Sequence, residues 1–99
     1  MTTQTQPLTL EQIVTENAET LSYLLDQYVT TLTPAELVEA LDDAGSEFSD
    51  SFESTNQANG EAMSAAAALL AATLTMSDGD PDMPVLLRRA RVHLQDTEI

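Results

Sequence analysis

From Thr9 onward the apolar residues Leu10, Ile13, Val14, Leu21, Leu24, Leu25, Tyr28 and Leu32 recur at steps of three and four. That spacing gathers them on one face of a helix, predicted here over about residues 10–31. Thr9 followed by Gln12 fits a capping box, in which each side chain satisfies a backbone N–H of the other residue. The pattern restarts at "TLTPAELVEAL". Thr33 as N-cap, Pro34 at the first helical position and Glu36 three residues after the cap are three separate start signals. Leu37, Leu41, Ala44, Phe48 and Phe52 continue on one face of this second helix. Gly45 and the serines weaken it and allow a break near Gly45. The stretch from Asn56 to Gly60 has the stronger turn chemistry and is predicted as the boundary.

"EAMSAAAALLAATLTM", residues 61–76, favours helix throughout, and its small side chains let a neighbour approach closely. It is expected to sit centrally or at an oligomer contact. "SDGDPDMP" then breaks the chain with Gly79, Pro81 and Pro84. In "VLLRRARVHL" two periods compete: Ala90, Val92 and Leu94 alternate with Arg89, Arg91 and His93 as in a strand, whereas Leu86, Ala90 and Leu94 fit a helix. Helix is the choice for residues 85–94, because a lone strand would find no partner in this chain. The expected fold class is all-α, a small helical bundle of three longer helices plus a short C-terminal helix. Residues 1–8 are expected as a loose tail and 9–99 as a single acidic helical domain.

Composition narrows the chemistry. Without cysteine, disulfides and thiolate sites are excluded. No signal-peptide pattern and no run of about 20 apolar residues is present, so a soluble, cytoplasmic protein is expected, in the host cytoplasm if a phage encodes it. Charge changes the picture most. Seventeen acids face three arginines and no lysine, for a formal net charge of -14. All the bases, Arg88, Arg89 and Arg91, lie near the C-terminus, with only Asp96 and Glu98 beyond them. Direct binding to nucleic acid or to an anionic membrane is not expected, because both are held by Lys and Arg.

The densest run is "ELVEALDDAGSEFSDSFES", residues 36–54. On a helical wheel Glu36, Glu39, Asp43, Glu47 and Asp50 form one stripe, flanked by Asp42 and Glu53, opposite the apolar face. Along the axis that is roughly one charge per 4 Å, comparable with the about 3.4 Å between phosphates of one DNA strand. In charge design residues 36–53 resemble the DNA-mimicking inhibitors that phages and mobile elements deploy against restriction, CRISPR or transcription machinery. The likeness is one of surface charge, not of sequence motif. It implies that this chain is a non-enzymatic binding protein whose partner is a protein with a basic, nucleic-acid-binding groove, contacted by Glu36, Glu39, Asp42, Asp43, Glu47, Asp50 and Glu53. Leu37, Leu41, Phe48 and Phe52 would hold the stripe in register.

Blander readings compete with this one. An acidic face can simply solvate a small protein, and a lysine-free, acid-rich chain also matches the composition of halophilic proteins, whose carboxylates are screened by salt. "SEFSDSFES" can be an acidic segment that folds on a partner with Phe48 and Phe52 as anchors, although phenylalanines four apart usually belong to a core. The rival function is a small structural or adaptor subunit of a salt-adapted assembly, held through Leu21, Leu25, Leu70 and Leu74. A homodimer through the alanine-rich helix is a further contact the composition allows.

Other chemistry is thin. Asp78, Asp80 and Asp82 begin like a calcium loop, but Met83 stands where the loop needs Gly and Arg89 where it needs Glu, so a surface turn with Asp82 capping the next helix is expected. His93 has no local catalytic partner, and the arginines are expected to pair with the acid-rich helices. No catalytic residue, cofactor or metal site is expected.

Overall fold

A computed structural model describes residues 8–77 and 79–97. Within them the chain is all-α, with four helices: α1 (Leu10–Leu25), α2 (Pro34–Ser49), α3 (Ser54–Leu74) and α4 (Met83–Gln95). α1 starts at the expected capping box: the Gln12 amide donates to the Thr9 hydroxyl and the Thr9 amide to the Gln12 side chain. It is shorter than its apolar period suggests. Asp26 takes a left-handed conformation (φ 54°) that ends the helix, and Val29–Thr31 form a separate 3-10 turn. That turn buries Val29 and leaves Tyr28, expected on the helix face, 78% exposed.

α2 also begins at its capping box, with reciprocal bonds between Thr33 and Glu36 and Pro34 in the first turn. Its end differs from expectation. The helix runs through Gly45 to Ser49, and α3 already starts at Ser54, so Asn56–Gly60 lie inside a helix rather than between two. Ser51 makes the real boundary. Its hydroxyl accepts from the Glu53 amide and the Asn56 side chain, and its carbonyl accepts from the Gln57 side chain. Polar groups that weaken helix at 49–51 thus become the anchor of the next helix start.

The glycines act as contacts. Gly45 and Gly60 are both buried where α2 crosses α3. A Cβ on Gly60 would lie 2.7 Å from the Gly45 carbonyl oxygen, and one on Gly45 would lie 2.9 Å from the Ser64 amide. Two backbones can approach this closely only where side chains are missing. Gly60 therefore persists within a helix because packing against α2 offsets its poor propensity, about 1 kcal/mol against Ala.

α3 is the central element. α2 packs along one side of it and α4 along another, while α1 makes far less contact with the rest. The core consists of Ile13, Leu21 and Leu24 from α1, Val29, Leu37 and Leu41 from the middle of the chain, and Met63, Ala66, Ala67 and Leu70 from α3. Leu87, Ala90 and Leu94 of α4 complete it. The C-terminal segment is helical: of the three apolar residues that alternate with Arg89, Arg91 and His93, Ala90 and Leu94 are buried and Val92 is exposed, as a helical period requires. One ion pair ties α4 to α1: Arg91 Nη2 to Glu16 Oε1 at 2.7 Å. Both partners are partly exposed, which keeps such a pair within about 1 kcal/mol.

Candidate partner-binding face

α2 presents two opposed faces. Leu37, Leu41 and Gly45 are buried, with Val38, Ala44 and Phe48 packed beside them. Glu36, Glu39, Asp42, Asp43, Glu47, Asp50 and Glu53 are all exposed. Glu36, Glu39, Asp43 and Glu47 share one stripe within α2, and Asp50 continues it as the C-cap residue, still near helical geometry (φ -84°, ψ -3°). Glu53 departs from the wheel. It lies past the turn as the extended N-cap residue of α3, so it is aligned by the start of the next helix rather than by α2.

None of the seven carboxylates forms an ion pair with a described residue. Glu36 alone makes a side-chain hydrogen bond, accepting from the Thr33 amide at 3.0 Å. That bond, together with one to the Thr33 side chain, holds its carboxyl below the ordinary value of 4.5. Glu36 sits at the positive end of α2 and Glu53 at that of α3, where a negative charge is stabilising. Glu47 and Asp50 occupy the opposite, negative end of α2, which has no basic residue in its last turn. Charges placed there oppose the helix dipole and repel their neighbours, so their position is not explained by the stability of α2.

The apolar supports were only partly legible. Leu37 and Leu41 are buried and Phe48 packs against the core. Phe52 does not: it is 102% exposed in the link between α2 and α3. The four-residue step from Phe48 carries it to the core face only if α2 continues past Ser49, and the turn at Ser51 directs it away. An aromatic ring flanked by Asp50, Ser51 and Glu53 therefore stands at the end of the acidic stripe. Leu21 and Leu70, expected on a partner-facing surface, are fully buried in the core instead. Leu25 is half-buried, and only Leu74 of that set is exposed.

Elsewhere little chemistry converges. Arg88 and Arg89 are exposed, Arg91 is held by Glu16 on α1 rather than by the acid-rich α2, and His93 is half-buried in the last turn of α4. Asp82 is the N-cap residue of α4, but its side chain makes no capping bond. Its amide instead donates to the Asp80 carboxylate at 2.9 Å, so Asp80 orders the turn. Asp78 lies outside the described residues. Among those described, no group of His, Asp and Glu is arranged to hold a metal ion, and no helix is long and apolar enough to cross a membrane.

Fold and surface together define a small acidic helical bundle with a stripe of exposed carboxylates along α2. No family model matches the chain, and neither a curated protein nor a solved structure matches it.

Proposed function

We propose that the protein is a non-enzymatic binding protein whose anionic α2 face covers a basic, nucleic-acid-binding surface of a partner protein and blocks it, as a charge mimic of DNA. The single observation that carries this reading is the row of outward carboxylates along α2 with no cation among the described residues to answer it, two of them at the helix end where they oppose the dipole. A groove rich in Lys and Arg, built to hold phosphates, accepts carboxylates at similar spacing. Met63, Ala66, Ala67 and Leu70 of α3 are used within the chain, while Ala68 and Leu74 of the same helix are exposed.

A second reading is a helical adaptor subunit of a salt-adapted assembly. It is favoured by the acids outside the stripe: Glu11, Glu19, Asp26 and Glu61 are exposed on other elements, and the chain contains no lysine. Charge reversal separates the two. In the triple variant Glu39→Lys, Asp43→Lys, Glu47→Lys, binding to a nucleic-acid-binding partner is expected to fall by about a hundredfold or more at low salt, and wild-type binding to weaken steeply as salt rises. Full retention by the triple variant, or tighter wild-type binding at high salt, would instead support the adaptor.

A further inference from the structure

Where α1 leans away from the other helices it leaves an open groove of about 750 Å³. Leu10 and Val14 form one wall, Leu32 and Leu37 a second, and Leu74 and Leu87 the far side. Its volume lies within the range of about 300–1,000 Å³ typical of built binding sites. Of the threonines along it, Thr73 donates to the Leu70 carbonyl, Thr15 donates to that of Glu11 and Thr9 accepts from the Gln12 amide. The groove therefore offers mainly apolar contact, with Thr30 an exposed polar side chain in its lining. Among the described residues one charged side chain lines it, Glu11, whose carboxylate makes no hydrogen bond or ion pair with them. Glu36 is exposed in the same helical turn that contributes Pro34 and Leu37 to the wall.

We infer that this groove receives the apolar face of a basic amphipathic helix from the partner protein, with Lys or Arg beside that face meeting Glu11 and Glu36. An amphipathic helix lays apolar anchors at three- and four-residue steps into such a groove. The sign of the charge follows from the rim: an acidic helix or a fatty-acid carboxylate would meet Glu11 with no cation among the lining residues, on a chain of net charge -14. The inference rests on the partner being basic, and adds that its basic surface includes a helix with an apolar side.

The probe is a synthetic leucine–lysine amphipathic helical peptide, with a leucine–glutamate peptide as control, titrated into the isotopically labelled full chain and followed by NMR. Binding of the lysine peptide alone, with shifts at Leu10, Val14, Leu32, Leu37, Leu74 and Leu87, is the expected result. Leu74→Lys, at an exposed wall position, should weaken it by about tenfold or more, because a cation replaces apolar contact and repels the peptide. Glu61→Lys, a larger change in charge at an exposed α3 position outside both the groove lining and the acidic stripe, should weaken it less than about threefold. Val14→Lys repeats the test from the opposite wall should Leu74→Lys lose helicity by circular dichroism. Equal or greater weakening by Glu61→Lys, shifts confined to the α2 stripe, or absence of binding would overturn the groove assignment. The first two outcomes would leave the charge-mimic reading standing.

Discussion

Two helix contacts in this molecule are built in opposite ways. α2 meets α3 through Gly45, Gly60 and Ser64, with the backbones so close that no Cβ fits at either glycine. α1 meets the rest through larger side chains, Ile13, Leu21 and Leu24, together with the Arg91–Glu16 pair, and stands far enough off to leave the groove. Larger apolar residues did not produce the tighter contact. Closeness came from missing side chains, which remove the steric limit on approach and bring long stretches of backbone within dispersion range. The tight seam lies on the helix that carries the anionic face, and the loose contact leaves an apolar surface open beside the N-terminal end of that helix.

The largest expected effect tests that contrast directly. Leu41→Ala, in the seam, should cost about 2–5 kcal/mol because the close-packed surroundings cannot collapse onto the cavity. Val14→Ala, whose side chain borders open space, should cost less than about 1 kcal/mol. Urea denaturation of both variants measures the difference, and similar losses would mean that the two contacts are equally well packed.

A smaller effect is expected from Gly60→Ala. Helix propensity alone would make the change favourable by about 1 kcal/mol, whereas the overlap with the Gly45 carbonyl forces the helices apart at about 1–3 kcal/mol. Net destabilisation in the same denaturation assay would sharpen the picture of a backbone seam, and net stabilisation would break it.

The smallest effect concerns the start of α2. Because the Glu36 carboxyl is held below its ordinary value in the folded state, its contribution is fully present above that value and is lost as pH falls through the lowered one. The stability difference between wild type and Glu36→Gln should be constant near neutral pH and shrink below about pH 4.5. Thermal melts at stepped pH follow it. A difference independent of pH would mean that the box at Thr33 gains nothing from the charge.

Much of this was readable along the chain, and the failures are physical rather than random. Capping boxes are local: Thr9 with Gln12, and Thr33 with Glu36, need only a few consecutive residues, and both form as their spacing implies. The acidic stripe was legible for the same reason, since a 3.6-residue period maps five carboxylates onto one face wherever the helix persists. Gly60 misled because glycine signals a turn when only neighbours in sequence are considered, while its role here is set by a helix fifteen residues away. Phe52 followed from the same error: once the boundary moves from Asn56–Gly60 to 50–53, its place on the core face is lost.

The starts of α1 and α2 and the sign of the surface were thus determined by the sequence alone, because capping and net charge depend on residues close together in the chain. The end of α2, the exposure of Phe52, the pairing of Arg91 with Glu16 and the groove beneath α1 were decided only by the tertiary structure. The first two follow from the turn at Ser51 together with the α2–α3 crossing at Gly45 and Gly60, and the last two from where α1 packs against elements distant from it in sequence.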